Sequence, residues 1–226
     1  GVFRIGDFFE GITGYRKAPA QDAPHEWLML SESTLATATN GRVFADALGA
    51  FSSTRQEFTF MPEDVRLSLI SRRLGMIAQA GQYNLPRMLK RGDGPAAMAS
   101  IHEFAQATVS LVFLINNPAS VGYAPYYKWR FAALRRLSAR MVTRLADVCG
   151  QLEEVLELAS AACFADADSV THAGSTGPAD SVDSAQVSPA DRVHAIIEHI
   201  CAEIVGELRR EGLTESDETF LEWQRP

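Results

Sequence analysis

The fold is decided by the segment AAMASIHEFAQATVSLVFLIN at residues 96–116. Its apolar side chains recur at the three- and four-residue intervals that place them on one face of an α-helix. They include Ile101, Phe104, Ala105, Leu111, Val112 and Ile115. Near the middle of the segment apolar residues occupy most faces, so a helix here needs other elements around it. The sequence therefore predicts a helical bundle with this helix at its centre.

Amphipathic segments on either side of the central helix predict the other helices. Their expected bounds are about 26–37, 62–80, 125–137, 140–164 and 189–211, with a short last helix after residue 214. The N-terminal ends of two of these helices are clearly indicated by the sequence. Pro62 precedes two acidic residues, and Ser188-Pro189-Ala190-Asp191 combines a capping serine with a proline at the first helical position. Gly81 is expected to end the 62–80 helix, and residues 55–60 are the main candidate for extended chain.

Composition divides the chain into three parts. Residues 165–188 are rich in Asp, Ser, Thr, Gly and Ala, with no apolar side chain larger than Val, which is typical of a flexible linker. We predict a helical core domain at 1–164, a flexible linker at 165–188, and C-terminal helices at 189–226 that pack on the core. The predicted fold class is mostly α: a helical bundle with an extended N-terminal segment and a flexible linker before the last two helices.

The overall composition is that of an ordinary globular protein. Of 226 residues, 46% are hydrophobic and 22% are charged, which argues against a disordered, collagen-like or membrane protein. The strongly apolar stretch near 109–115 is far shorter than a membrane span. No signal-peptide pattern opens the chain, and the three cysteines show no metal-binding spacing. We therefore expect a cytoplasmic protein with buried or idle thiols.

The first fifteen residues, GVFRIGDFFEGITGY, are unusually apolar for a chain terminus. One interpretation is that the chain was cut from a longer protein, so that these side chains face a missing partner surface. The other is that they form a short amphipathic helix that packs on the body of the protein. The first interpretation is the one we favour from the sequence.

The net charge of −7 conceals a strongly basic stretch. Residues 1–103 are neutral overall, residues 104–146 carry six basic and no acidic side chains, and residues 147–226 have a net charge of −13. The six cations are Lys128, Arg130, Arg135, Arg136, Arg140 and Arg144. A stretch of this kind favours an anionic neighbour.

Two kinds of neighbour remain open for the basic stretch. The first is internal, with ion pairs to Glu153, Glu154, Glu157 or the C-terminal helix. The second is a phosphate-bearing ligand, either a nucleotide or RNA, because planar guanidinium groups suit phosphate oxygens. If the helix continued to residue 144, the arginines at 136, 140 and 144 would form one stripe along it.

Familiar catalytic motifs do not occur in the sequence. There is no GxxxxGK[ST], GxGxxG or GxSxG pattern. His194, Glu198 and His199 match neither of the common zinc-helix spacings. Asp166 and Asp168 are interpreted as solubilising, because catalytic carboxylates need a rigid support that a linker does not supply. We predict no catalytic residue and no metal ligand in this chain.

Four segments together resemble the DUF4037 family. They are TNGRVFAD (39–46), MPEDV (61–65), QAGQYNLPRMLKRGD (79–93) and YAPYYKWRFAALRRL (123–137). The resemblance spans about residues 1–137, and PYYKW followed by ALRRL is its most specific part. It implies a helical domain that usually follows a polymerase-β-type nucleotidyltransferase domain, which carries a GS turn and an acidic DxD pair that holds divalent metal. Here Gly174-Ser175 follows Asp166 and Asp168, which is the wrong order, so the catalytic half is expected to be missing.

The resemblance implies a nucleotide-facing role for the aromatic and basic residues near position 128. By analogy with related two-domain nucleotidyltransferases, Lys128 would contact phosphate, while Tyr126 or Tyr127 would hydrogen-bond or stack. The alternative is that these tyrosines and Trp129 are core anchors and that Lys128 points to water.

Three arginines complete the candidate set that the resemblance implies. Arg87 would be a second cation facing the nucleotide cleft. Arg135 and Arg136 would bind phosphate or hold the interface between the two domains.

We therefore expect the helical C-terminal domain of a nucleotidyltransferase-like protein, which is not catalytic alone. Mg²⁺ and an NTP are expected only with the missing N-terminal domain, which would be its partner in cis. The alternatives are a non-catalytic helical module that binds a protein partner or RNA, and a degenerate structural domain. A helical RNase is not expected, because no histidine lies between His102 and His172. The acidic net charge argues against broad DNA binding.

Overall fold

A computed structural model describes residues 1–164 and 187–225 of the chain, and in these ranges α-helices are joined by short loops. No β-strand occurs within the described residues, which confirms the mostly α class. The predicted linker at 165–188 lies almost entirely outside the described residues, and so do Asp166, Asp168 and Gly174-Ser175.

The helices are numbered here in chain order. They are α1 (Ile5–Thr13), α2 (Pro24–Leu28), α3 (Glu32–Thr39), α4 (Ala50–Thr59), α5 (Glu63–Ile77), α6 (Leu85–Lys90), α7 (Gly94–Ile115), α8 (Pro118–Val121), α9 (Arg130–Ser138), α10 (Val148–Phe164) and α11 (Pro189–Arg210). A π-helical segment, Ala78–Asn84, connects α5 to α6, and 3-10 turns occupy Tyr127–Trp129 and Leu221–Gln224.

The described chain divides into two compact units. The first unit comprises Gly1–Arg73, Thr108–Cys149 and Arg225. The second unit comprises Leu74–Ala107 and the described part of Gly150–Gln224. The tertiary contacts that follow are given for each unit by itself.

Helix α7 confirms the prediction that this segment forms a buried helix. Ile101, Phe104, Leu111 and Val112 are all fully buried. Its length and a mean hydropathy of 1.4 also meet the criteria for a membrane span, but 67% of that window is buried within the structure. Burial by protein on most sides is what the apolar pattern of the segment predicts for the core helix of a bundle.

In the first unit, an aromatic cluster joins α1 to α4. The Phe9 ring lies 5.2 Å from that of Phe51 and 5.3 Å from that of Phe58, measured between centroids. Phe9 and Phe58 are fully buried, whereas Val2 and Phe3 are exposed. The N-terminal segment thus contains a short helix that packs on this unit through Phe9.

The expectation of extended chain at residues 55–60 is wrong, because α4 covers Ala50–Thr59. At the start of this helix the Ser52 backbone N–H donates to the Asp46 carboxylate at 2.8 Å, and that bond lowers the pKa of Asp46. Phe51 and Phe58 are seven residues apart, so they lie on one helix face, against Phe9. Burial of this face outweighs the local signals for extended chain.

The predicted helix over 140–164 is also wrong in its first part, because α10 begins only at Val148. The Asn116 side chain donates to the Arg144 carbonyl at 3.0 Å and accepts from the Arg144 backbone N–H at 2.9 Å. These bonds hold residues near 144 in a turn, and Leu145 has a φ of 57°. The arginines at 136, 140 and 144 therefore do not form a helical stripe.

Three further predicted helices are shorter than expected. The helix predicted over 125–137 begins only at Arg130, after the 3-10 turn Tyr127–Trp129. The helix predicted over 26–37 is interrupted between α2 and α3, where Ser31 caps α3 by accepting from the Thr34 backbone N–H at 3.1 Å. The last predicted helix is reduced to the 3-10 turn Leu221–Gln224.

In the second unit, the π-helical segment contacts α11 and the C-terminal turn through Gln82. Its side-chain amide donates to Glu198 Oε2 at 3.0 Å and to the Thr219 carbonyl at 2.9 Å. The Leu221 backbone N–H donates to Gln82 Oε1 at 3.0 Å. The Gln82 side chain thus links the π-helical segment to Glu198, Thr219 and Leu221.

Gly81 does not end a helix as predicted, because the chain continues through the π-helical segment into α6. A Cβ at this position would lie 2.4 Å from Phe104 Cδ2 and 3.0 Å from Ile197 Cγ2. The glycine is therefore required by close packing rather than by a left-handed backbone.

Replacing Gly81 by alanine should destabilise the protein. The new methyl group has no room beside the Phe104 ring, and overpacking of this kind typically costs about 1–3 kcal/mol. Urea unfolding would measure the loss.

Gly206→Ala in α11 is the matched control, because its Cβ would meet only Arg210 Nη2 at 3.9 Å. It should stabilise by roughly 0.5–1 kcal/mol, the usual gain for alanine over glycine inside a helix. Equal effects of the two substitutions would contradict the packing account.

The three cysteines are free and buried, as predicted. Burial raises the pKa of Cys163, and burial together with the Glu198 charge raises the pKa of Cys201 well above its usual value. Both thiols are therefore less ionised at mildly alkaline pH than a free exposed cysteine would be.

We expect the native protein to resist Ellman's reagent at mildly alkaline pH, because all three thiols are shielded by burial. In denaturing guanidinium, all three cysteines should react at once. Rapid labelling of the native protein would show that at least one thiol is accessible, against the burial described above.

Candidate functional site

Tyr126–Trp129 form an exposed basic-aromatic turn in the first unit. Tyr126, Tyr127 and Trp129 are 53%, 60% and 58% exposed. The interpretation of these residues as core anchors is therefore wrong. The two tyrosine rings lie 4.5 Å apart, and Lys128 Nζ lies 5.7 Å from the Trp129 ring centroid. The 3-10 geometry presents all four side chains to solvent, since no residue of this turn is buried.

A cleft of about 410 Å³ lies between α3, α8 and α9 of the first unit. Its lining includes Arg136 and Arg140, and we call it the arginine cleft. Thr39 and Asn40 contribute polar groups, and the apolar walls come from Ala36, Phe113, Val121, Ala133 and Leu137. Arg136, one of the predicted phosphate contacts, is thus on a concave surface, whereas Arg135 does not line this cleft.

Three cations, two in the lining of the arginine cleft and one in the basic-aromatic turn, make no ion pair with any residue that the structure describes. They are Lys128, Arg136 and Arg140. Glu154, one of the acids proposed to neutralise them, instead pairs with Arg192, whose Nε donates to Glu154 Oε1 at 2.7 Å. Internal pairing within the described chain therefore does not account for these three charges.

Tyr123 fixes the backbone that leads into the basic-aromatic turn. Its hydroxyl donates to the Phe58 and Thr59 carbonyl oxygens at 3.0 and 3.1 Å, and the ring lines the arginine cleft. Burial is the main cause that raises the pKa of Tyr123, so the hydroxyl remains a hydrogen-bond donor at neutral pH. The start of the turn is in this way anchored to the end of α4.

Arg87, the remaining predicted cation, belongs to the second unit. It lies on α6 with its guanidinium carbon 3.5 Å from the centroid of the Tyr83 ring, a cation–π contact. The first unit therefore contains Lys128, both tyrosines, Arg135 and Arg136, whereas Arg87 belongs to the second unit.

A second cleft, not anticipated from the sequence, surrounds Glu32 in the first unit. It measures about 220 Å³ and is lined by Ser31, Glu32, Ser33, Leu69, Arg72, Arg73 and Arg130, together with residues 28–30. We call it the Glu32 cleft. Glu32 is the first residue of α3, and its side chain is only 4% exposed.

A buried ion pair forms the base of the Glu32 cleft. Arg73 Nη2 donates to Glu32 Oε2 at 2.7 Å, and Ser110 Oγ donates to the same oxygen at 2.6 Å. Arg73 Nε also donates to Ser110 Oγ at 2.6 Å, which closes a three-residue network between α3, α5 and α7. Burial lowers the pKa of Arg130, the charge of Glu32 raises it, and the charge of Arg73 lowers it.

Within the described residues, no group of three or more His, Cys, Asp or Glu side chains is placed to hold a metal ion. His194 Nδ1 lies 4.0 Å from Glu198 Oε1, and His199 Nε2 lies 3.4 Å from Glu203 Oε1. In each pair the two residues are one helical turn apart on α11. These are separate i, i+4 pairs rather than one ligand set.

Comparison with known proteins identifies a family over the middle of the chain. Residues 27–130 match the DUF4037 family, described as a domain of unknown function. The resemblance to this family is thereby confirmed, and the matched range includes PYYKW but ends before ALRRL. It also contains every residue that lines the Glu32 cleft. Neither the curated proteins nor the solved structures gave a match to this chain.

Replacing Glu32 by alanine should strongly destabilise the protein, because the half-buried Arg73 would lose its buried carboxylate partner. Breaking one partner of a buried pair usually costs about 3–5 kcal/mol. The control is Glu10→Ala, which removes one carboxylate from Arg16 in a pair whose partners are both exposed, and it should cost about 1 kcal/mol or less. Chemical denaturation of both variants makes the comparison. Similar losses would mean that the Glu32 network contributes no more than a surface pair.

Proposed function

We propose that this chain, which contains a DUF4037 domain at residues 27–130, is the helical domain of a nucleotidyltransferase-like protein and helps bind its nucleotide or acceptor. The observation that supports the proposal is the exposed basic-aromatic turn next to the arginine cleft, with cations that have no ion pair among the described residues. Aromatic faces and unneutralised cations together suit a ligand that carries both a base and phosphates.

The proposed ligand contacts follow from the chemistry of each group. Arg136 and Arg140 would bind phosphate oxygens at the arginine cleft, since a planar guanidinium can make two parallel bonds to such a group. Lys128 would add a point charge beside them. Tyr126 or Tyr127 would stack on the base, a contact that every base supports because each has an aromatic face.

Catalysis itself is assigned to a partner. A nucleotidyltransferase domain, in cis or as a separate protein, would supply the carboxylates that hold Mg²⁺, and the metal would stabilise charge during in-line displacement at the α-phosphate. The role of the present chain is to bind and orient. Its cations would neutralise the triphosphate, and its aromatic side chains would position the base.

A second candidate function is supported by the same exposed aromatic side chains. Three aromatic rings and a lysine on four consecutive residues also suit a single-stranded nucleic acid, in which bases stack on side chains and the backbone follows the cations. In that case the chain would be a non-catalytic RNA-binding module.

The proposal predicts that Lys128→Ala and Arg136→Gln each weaken MgATP binding about tenfold, because each removes one charged contact worth roughly 1.5 kcal/mol. Both residues are exposed, so thermal stability should stay near that of the unsubstituted protein. The readouts are titration calorimetry and the melting temperature. Arg4→Gln is the matched control, since Arg4 is an exposed arginine of the same unit outside the arginine cleft.

Two results would decide between the functions. Unchanged MgATP affinity in both variants would reject the nucleotide proposal. Binding of single-stranded RNA in the absence of nucleotide binding would support the second function, provided its affinity falls steeply with salt, as release of counterions requires.

A further inference from the structure

Met141 and Val142 lie at the tip of an exposed turn in the first unit. The Thr143 backbone N–H donates to the Arg140 carbonyl at 3.3 Å, so the two apolar residues take the central positions of a four-residue turn. Met141 and Val142 are 103% and 90% exposed. Glycine, proline, asparagine, aspartate and serine are the usual residues at such positions. Two apolar side chains here indicate a surface that another molecule covers.

Residues 140–143, which we call the Met-Val turn, are anchored to the first unit on both sides of the tip. The Arg140 backbone N–H donates to the Leu137 carbonyl at 3.0 Å, and Thr143 Oγ1 donates to the same carbonyl at 2.6 Å. The Asn116 side chain binds both backbone groups of the next residue, Arg144. These bonds hold the base of the turn in place, so its apolar tip is presented to solvent.

The basic-aromatic turn is built in the same way. The Trp129 backbone N–H donates to the Tyr126 carbonyl at 2.9 Å, which leaves Tyr127 and Lys128 at the central positions. Both turns adjoin the arginine cleft, whose lining includes Arg140 and the residue that precedes Tyr126. The first unit therefore presents two turns with exposed apolar side chains beside one cleft.

The charge around these two turns is positive. Lys128, Arg136 and Arg140 make no ion pair among the described residues, and residues 104–146 contain no acidic side chain. The first unit as a whole has 15 basic and 10 acidic side chains, a net charge of +5 in a chain of −7. The molecule that covers the turns is therefore expected to be anionic. Contact between two copies of this surface is disfavoured, because like charges would meet.

The form of the two turns favours a lipid surface as the occupant. A folded protein would need a matching pocket for each protruding side chain, whereas the boundary between headgroups and acyl chains accommodates apolar side chains of any shape. Tyrosine and tryptophan are enriched at that boundary, and anionic headgroups attract basic residues beside it. The bases of RNA could stack on the tyrosines, but RNA offers no apolar environment for Met141 and Val142.

We propose that the first unit binds peripherally to an anionic membrane, with Met141 and Val142 inserted at the boundary between headgroups and acyl chains. Trp129 lies at the level of the headgroups, and Lys128 and Arg140 contact their anionic groups. The contact is made at the bilayer surface, so the apolar helix α7 keeps its buried position. This inference does not rest on the proposed function, in which Met141 and Val142 have no role.

The test is co-sedimentation of the chain with lipid vesicles of two compositions. One is phosphatidylcholine alone, and the other contains about 30% phosphatidylserine, which supplies the anionic headgroups. We expect at least tenfold tighter binding to the anionic vesicles, because each cation near such a surface strengthens binding roughly fivefold. High salt should remove this preference, since it screens exposed charges.

The double substitution Met141→Gln/Val142→Gln tests the apolar tip. It should weaken binding to the anionic vesicles at least tenfold, because the side chains that enter the bilayer are no longer apolar. The melting temperature should not change, since both residues are exposed. MgATP binding should also be unchanged, which separates this test from that of the proposed function.

Leu48→Gln is the matched control. The Gly49 backbone N–H donates to the Asp46 carbonyl at 3.0 Å, so Leu48 also lies at the centre of a turn in the first unit, and it is 93% exposed. That turn contains an acidic residue and no basic one. Leu48→Gln should therefore bind both kinds of vesicle like the unsubstituted protein.

Three outcomes would overturn the inference. Equal binding to the two kinds of vesicle, or binding to neither, would exclude recognition of an anionic membrane. Undiminished binding by the double variant would show adsorption through charge alone. Self-association that the double substitution abolishes, in a protein that does not bind vesicles, would assign the Met-Val turn to an interface between copies of the chain. Light scattering of both proteins would detect this last outcome.

Discussion

The first unit depends on one buried ion pair, between Glu32 of α3 and Arg73 of α5, which Ser110 of α7 completes. Three helices far apart in sequence are linked by groups that cannot be left unpaired, because a buried charge without its partner is strongly unfavourable. Apolar packing alone tolerates many arrangements of helices. The network restricts them, since the carboxylate has to meet both a guanidinium and a hydroxyl group. It also places Glu32 and Arg73 in the wall of the Glu32 cleft.

The two clefts of this unit use opposite ends of the same pair of helices. Helix α3 contributes its first turn to one cleft and its last turn to the other, and α9 does the same with Arg130 and with Arg136. The basic stretch at residues 104–146 is thus divided between two surfaces. Viewed in the sequence, it is a single block of charge. In the fold, Arg130 is half-buried beside Glu32, while Lys128, Arg136 and Arg140 are exposed. These positions have different surroundings and therefore different chemistry.

Helical periodicity was sufficient to predict the mostly α class and the buried helix α7. Apolar side chains on most faces of that helix require burial on most sides, and this can be seen in the sequence alone. It failed where contacts distant in sequence decide the local structure. Asn116 holds the turn at Arg144, and Phe9 buries the face of α4 that was expected to be extended. For the candidate site, the residue types near 126–136 were sufficient to select Lys128, Arg136 and the tyrosines. The Glu32 cleft could not be found in this way, since Glu32, Arg73 and Ser110 are brought together only by the packing of three helices.

The π-helical segment at Ala78–Asn84 sets a constraint on chain length. Its i→i+5 hydrogen bonds accommodate extra chain within what is otherwise a continuous helical path from α5 to α6. Each residue of an α-helix turns the chain by about 100°. A deletion of one residue before Tyr83 that restored a regular α-helix would therefore rotate the Tyr83–Arg87 stack to another side of the helix. It would also turn Gln82 away from Glu198 and the C-terminal turn. In this part of the protein the number of residues is therefore as tightly specified as their identity.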